Sequence, residues 1–376
     1  MLKRLLCALL TLALLMLTAA SLAEETHPDA PGNRLGFSVL AQLADGSGNQ
    51  FVSPVSLAFC LALAARGAEG ETRDALLAAL DAEDAKALSD LGRALEASGL
   101  RWANAAFVTD AAPLREDYAD AIRADFDGEI FPLDSAERVN EWVKAHTDGL
   151  IDGILNGPLD PSILLALVNA IAMDAKWQIP FEHESTWKQT FHAPAGDREI
   201  DFMHNTLFAA YGEAEDTQFL RLDYVDSSLS MYLALPPEGG IPAALSALAE
   251  QGMGFFALGD EPREVRLSLP KLDVSADNTL DGALKALGLS LPFEPAADFS
   301  GISDTPLLID SVLQKVRVQV DEEGTRAAAV TAIILAEGAA MEEDPPVPMT
   351  LDRPFILVIA DGETGAVAFA GVVAEP

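Results

Sequence analysis

The sequence predicts an α+β fold with antiparallel or mixed sheets, and three observations carry that reading. Helix-spaced apolar segments lead and strand-like segments dominate the later part, without the strict alternation of a doubly wound parallel sheet. Half of the 376 residues are hydrophobic and 22% are charged, a composition that can bury a substantial core. No Pro- or Gly-rich linker divides the chain and no internal repeat appears, so residues 24–376 are expected to form a single domain.

Taken in order, Arg34 to Ala44 has the apolar spacing of a helix. Pro54 to Arg66 is almost wholly apolar and stops at Gly67, as expected of a central helix. Thr72 is placed to cap a further helix to about Leu80. Helices are also expected over 84–97, 113–125 and 135–146, the last capped by Asp134 or Ser135. Strand-like runs cover Leu100 to Val108, Ile163 to Met173, Phe202 to Tyr211, Phe219 to Tyr224 and Leu229 to Leu235, with Asp226-Ser227-Ser228 turning the last two into a hairpin. Val265 to Leu269 predicts another strand, Leu280 to Leu287 a helix, and Leu307 to Val320 a long strand. Phe355 to Ile359 and Ala366 to Val373, joined by ADGETG, predict a closing apolar hairpin.

Charge excludes one class of partner. With 24 Lys+Arg against 59 Asp+Glu, the formal charge is −35, and such a surface repels nucleic acid and heparin-type polyanions at long range. Residues 1–23 read as an export signal: Lys3 and Arg4 precede the apolar run Leu5 to Ala20, and Ser21-Leu22-Ala23 offers small residues where a signal peptidase reads. The expected destination is secreted or extracellular; an uncleaved signal anchoring the chain to a membrane is the alternative. Removal of that segment leaves Cys60 as the only cysteine, so no intrachain disulfide is available, and within LAFCLALAA it reads as core filler.

The motifs of catalysis are missing. There is no G-x-S-x-G elbow and no phosphate-cradling glycine loop, and His183-Glu184 begins a zinc-helix pattern that fails because Trp187 stands at the closing position. Five histidines and one mature cysteine make no metal site. In so acidic a chain, paired carboxylates read as solvated surface. Neither an enzyme nor a cofactor or metal protein is expected.

The informative stretch is 321–344, DEEGTRAAAVTAIILAEGAAMEED. Its Ala, Leu and Glu favour a helix, with Thr325 as a possible cap. Read as extended chain, it places Thr325, Ala327, Ala329, Thr331 and Ile333 on one face, and Arg326, Ala328, Val330 and Ala332 on the other. The first face is small and uncharged, and no proline interrupts the run before Pro345. Such a segment can sit outside as a loop and can also enter a sheet.

Six segments, in order, carry a resemblance that covers nearly the whole chain after residue 23. EEGTRAAAVTA at 322–332 is similar to the proximal hinge of the serpins, and DRPFILVIADGETGAVAFAGVV at 352–373 to their C-terminal hairpin. FVSPVSLAFCLALAARGAEGETRDAL at 51–76 resembles the segment entering their second helix. LVNAIAMDAKWQIPFEHESTWKQTF at 167–191 resembles the central strand and the region called the breach. LPKLDV at 269–274 and ALGLSLPFEPAADFSGIS at 286–303 add two more.

The resemblance implies three β-sheets, eight or nine helices and an exposed reactive loop at about 322–350, in a monomer without cofactor or metal. It implies a suicide-substrate inhibitor of serine proteases; a non-inhibitory serpin acting as a binding or carrier protein is the alternative. A protease attacks the loop and forms an acyl-enzyme, and the cleaved loop enters the main sheet before deacylation finishes. About 14 inserted residues at ~3.3 Å each would span roughly 46 Å. Hinge residues Glu322, Glu323, Gly324, Thr325, Ala327, Ala329 and Thr331 would lead, since an inward charge costs several kcal/mol to bury. Ser53, Ser56 and Asn169 fall where the family has its polar shutter, with Gln314 where a histidine is usual, and Trp177 falls at the breach. From the residues alone, Ser53 and Ser56 also read as helix capping. Counting on from Gly324 puts the scissile bond at Gly338-Ala339. A long exposed tail with Pro345, Pro346 and Pro348 leaves Ala340 and Met341 as alternatives. Small residues or Met suit an elastase-like or subtilisin-like partner and give a trypsin-like pocket no cation.

Overall fold

The computed structural model describes residues 29–376 apart from 45, 47, 96, 97 and 326–344. The export segment, the hinge positions Ala327, Ala329 and Thr331, and the bond candidates Gly338, Ala339, Ala340 and Met341 therefore lie outside the described residues. Eight α-helices and three sheets are present among those described.

The chain opens with α1 (Asn33–Leu43) and β1 (Gln50–Val52). Helix α2 (Pro54–Arg66) has proline at its first position, and the Ser53 side chain caps it by accepting from the Ser56 N–H. Helix α3 (Gly70–Leu80) begins earlier than expected, and Thr72 does not cap it. Its hydroxyl instead accepts the Asp298 N–H at 2.9 Å, a tertiary use that local spacing does not reveal. Next come α4 (Ala85–Leu95), β2 (Leu100–Val108) and α5 (Glu116–Asp125). The last starts three residues later than the sequence suggested, because Leu114 bridges to Ser303. After β3 (Gly128–Pro132), α6 (Ala136–His146) is capped by Ser135.

Strands then prevail: β4 (Leu165–Met173), β5 (Ala175–Lys176), β6 (Thr186–Ala193), β7 (Gly196–Ala214), β8 (Thr217–Asp223) and β9 (Leu229–Leu235). After α7 (Ile241–Gln251) follow β10 (Arg263–Pro270), β11 (Leu272–Thr279), α8 (Asp281–Ala286), β12 (Leu313–Val320) and β13 (Gly324–Thr325). The chain closes with β14 (Val347–Thr350), β15 (Phe355–Asp361) and β16 (Val367–Val373).

Two expectations are corrected here. Residues 307–312 are not strand: the Ile309 N–H goes to the Pro292 carbonyl and the Val312 N–H to the Asp281 carboxylate, so the ladder starts only at Leu313. The tail holding Pro348 is not wholly exposed, because 347–350 pair with β10 as a parallel edge strand, the position in a sheet that tolerates proline, and Met349 is buried.

A nine-stranded layer runs β1-β16-β15-β9-β8-β7-β10-β14 with β6 added to β7. The long β7 pairs with β6 and β10 along its first part and with β8 at its end, so it joins two sheet regions. The main sheet is in two parts, β3-β2-β4 and β11-β12-β13-β5, with β4 and β5 separated only by Asp174. Its faces are covered differently, as alternation requires. Ala106 belongs to the large core around α2, where Phe59 stacks on Trp102 with ring centroids 4.8 Å apart. Ala105 and Phe107, facing the other way, pack under Val139, Trp142 and Val143 of α6.

Candidate functional site

The central feature is a slot. Strands β4 and β12 lie on the two sides of the main sheet's division, and no ladder joins them among the described residues. A cavity of about 440 Å³ opens between the start of β4 and the segment leading into β12. Its walls are half-buried apolar residues, among them Ile163, Leu165, Leu307 and Ile309, with Cys60 of α2 at the back. Burial pushes the Cys60 thiol up to about 12, so it is not a thiolate; it lines the cavity wall rather than filling the core.

Polar groups cross the slot's floor. Gln314 on β12 accepts the Ser53 N–H and donates to the Ser53 carbonyl, both at 2.9 Å, clamping the start of α2 to the sheet. One amide both donates and accepts here. Ser53 also caps α2, as the residues alone suggested. Asn169 on β4 donates to the Asn104 side chain at 3.0 Å, yet its own Oδ1 is buried without a partner among the described residues. An orphaned acceptor of this kind costs about 1–3 kcal/mol until a donor arrives. Ser56 lines the same space.

At the upper end, Gly324 and Thr325, two of the expected hinge residues, are paired into the sheet. Val320 turns through 321–323 into β13, with the Asp321 carboxylate accepting the Glu323 and Gly324 N–H groups. Gly324 pairs with Lys176 and Thr325 with Ala175. A Cβ on Gly324 would lie 2.2 Å from the Ala175 carbonyl oxygen, so only glycine fits. Thr325 is buried, and its hydroxyl meets that of Tyr224 at 2.6 Å. Trp177 closes the site from the side: its indole donates to the Asp321 carbonyl and its backbone N–H to the Glu323 carbonyl, while its ring stacks on Tyr224 at 4.7 Å.

One carboxylate anchors this end. Glu322 is 3% exposed, with Lys271 at 2.7 Å and the Thr186 hydroxyl donating at 2.8 Å. Burial opposes its ionisation, but those hydrogen bonds outweigh it and hold its pKa below the ordinary glutamate value. Glu323 Oε2 is buried without a partner among the described residues. Lys271, Thr186 and Tyr224 had no functional reading from sequence. Lys271 stood within LPKLDV and Tyr224 at a strand end, and nothing local relates either to residue 322 or 325. His183 begins a single 3-10 turn, and no group of metal-ligating side chains occurs among the described residues.

The described chain resumes at Pro345, and β14 fixes its return on the edge of the sheet β6-β7-β10-β14. The described residues on either side of 326–344 are thus held at one end beside the slot and at the other on that edge. Arg353 lies just beyond, its guanidinium donating to the Pro236 carbonyl.

The family model described as "Serpin (serine protease inhibitor)" matches residues 31–376. An uncharacterized serpin-like protein of Thermococcus kodakarensis is 34% identical, over 92% of this chain and 84% of that protein. Plasminogen activator inhibitor 1 of Neovison vison is 33% identical, over 98% of each. Among solved structures, the native state of the thermophilic serpin tengpin superposes with a TM-score of 0.80 at 29% identity, over 92% of this chain and 93% of that one. The pairing of β13 with β12 and β5, where no ladder joins β4 to β12 among the described residues, agrees with these matches, and the chain belongs to the serpin family.

Proposed function

We propose that this chain is a suicide-substrate inhibitor of serine proteases, acting without a catalytic group of its own, by completing its main sheet with the cleaved loop. The slot's register carries the reading. Because β13 is antiparallel to both neighbours, each further loop residue steps one residue back along β12 and β5-β4. Continued six residues beyond Thr325 by the cleaved loop, that register would bring Thr331 between Gln314 and Asn169, where its hydroxyl would donate to the Asn169 Oδ1 that has no partner among the described residues. On insertion the next residues, Ala332 to Leu335, would reach the apolar cavity, and Gly338 would reach Ser162 and Leu307 at its end. Slot and loop thus match in length, polarity and apolar content.

The small residues at 338–341 favour a protease with a small or Met-accepting pocket, elastase-like or subtilisin-like. Export through residues 1–23 puts such a protease outside the cell, and a mature N-terminus at Glu24 tests that reading. Inhibition is tested with a panel of serine proteases. An SDS-stable one-to-one complex is expected, with cleavage after Gly338, Ala339, Ala340 or Met341 by mass spectrometry. Turnover of the loop as plain substrate by every protease, or a complex with trypsin cut after Arg326 or Arg353, would overturn it.

A further inference from the structure

Six large apolar side chains are exposed among the described residues, and four of them, Ile179, Trp187, Phe208 and Val225, belong to one connected region. The Val225 N–H bonds the Lys176 carbonyl, and Asn205 of β7 bonds the Pro180 carbonyl, so the hinge end of the main sheet abuts β7. Trp187 and Phe208 share one face of the sheet β6-β7-β10-β14. Trp187 stands opposite Phe202 and Phe208 opposite Glu264, while Thr206, Arg266 and Pro348 form a row across three strands. Opposed residues, and residues two apart along a strand, lie on the same face.

The face is built to be rigid. Trp187, 51% exposed, lies flat on His204, with ring centroids 3.5 Å apart and planes 7° from parallel. His204 is fixed through both ring nitrogens, to the Ser185 carbonyl and the Gln189 side chain. An exposed indole already held in place loses little freedom when covered. Arg266 is exposed and makes no ion pair among the described residues, although acids outnumber bases 59 to 24. Exposed aromatic patches with an unpaired arginine are the composition of interface hot spots.

We propose that this face is a docking surface for the serine protease that attacks the loop, taking an apolar side chain of that protease between Trp187 and Phe208 and a carboxylate at Arg266. The occupant follows from continuity, and the proposal rests on the inhibitor reading. Pro348 of β14 sits beside Arg266, and Val347 is only six positions after Met341. Six extended residues reach about 20 Å, so a protease holding 338–341 cannot stand far from this face.

The test uses a protease that the wild-type chain traps covalently, with its nucleophilic serine replaced by alanine so that only docking is read. Dissociation constants are measured for the wild type, for Phe208→Ala, for Trp187→Ala with Phe208→Ala, and for Arg266→Glu. The double variant and Arg266→Glu should each bind about tenfold more weakly. Phe208→Ala, which leaves the indole stack in place, should show part of that loss. Melting temperature and the stoichiometry of inhibition of active protease should be unchanged. Affinities within twofold of wild type overturn the proposal while leaving the inhibitor reading standing. Self-association of the wild type that the patch variants abolish, with protease affinity unaltered, assigns the face to a second copy and also overturns it. If the wild-type chain traps no protease at all, the inhibitor reading fails and the docking surface falls with it.

Discussion

Thr325→Arg tests the mechanism at the residue where seated hinge meets open slot. Thr325 is 4% exposed, paired to Val320 on one side and Ala175 on the other, with its hydroxyl on that of Tyr224 at 2.6 Å. An arginine there must either carry an unpaired guanidinium into the site or withdraw β13 from it. Leaving the buried Tyr224 hydroxyl without a partner costs about 1–3 kcal/mol, and burying the cation several more. Taking about 4 kcal/mol on the barrier to insertion slows that step about a thousandfold. Deacylation then wins the race. The assay is stoichiometry of inhibition with a small-residue-accepting protease, together with the yield of SDS-stable complex. The loop should be cut at an unchanged initial rate, protease activity should recover, and no complex should accumulate. Thr325→Val, which keeps the shape but also leaves the Tyr224 hydroxyl unpaired, should slow insertion by that hydroxyl's cost alone and so lose less trapping than Thr325→Arg. Arg326→Glu, on the opposite face of the alternation, should also change little. Unchanged stoichiometry for Thr325→Arg would refute insertion through this hinge.

Loop cleavage is expected to raise the melting temperature sharply, since the inserted loop would add a strand between β4 and β12, which no ladder joins among the described residues; cut and intact protein melting within about 5 °C of each other would contradict completion of the sheet by the loop. Glu322→Gln should destabilise the intact chain by about 1–3 kcal/mol at pH 7, because it weakens the tie to Lys271 around a buried group. The Glu322 pKa is held below its ordinary value, so its contribution is present above the unfolded pKa of about 4.3 and lost as pH falls through the folded one. The melting difference between Glu322→Gln and wild type should therefore shrink as pH falls below the unfolded pKa and through the lower folded one, and a difference that stays constant on acidification would exclude ionisation as its source. Gly324→Ala should unseat β13, because a Cβ meets the Ala175 carbonyl at 2.2 Å; undiminished protease protection of the 321–325 segment would contradict that.

What was legible in the sequence was what neighbours along the chain decide. The run Pro54–Arg66 became a helix at those bounds because an apolar stretch between a capping Ser53 and Gly67 needs nothing distant to specify it. Leu100–Val108 and Leu229–Leu235 likewise match their strands, and the alternation of small residues after Gly324 was visible as a pattern. Where polarity masked the period, sequence failed: β6 buries only Phe191 and Ala193 of its eight residues, and residues 307–312 look like strand but spend their hydrogen bonds elsewhere.

The slot itself belongs to tertiary structure. Gln314 reaches Ser53 across 261 residues of chain, Thr325 meets Tyr224 across 101, and Lys271 finds Glu322 across 51. No periodicity encodes such partners, because each depends on which strands become neighbours and in what register. The sequence determined that a segment with one small, uncharged face follows Gly324. Only the packed sheet decided that no ladder joins β4 to β12 among the described residues, that Asn169 Oδ1 is buried there without a partner, and that Thr325 pairs with both Val320 and Ala175. The physical reason is that a strand's pattern fixes which face is buried, whereas its pairing is fixed by edges that other parts of the chain leave open.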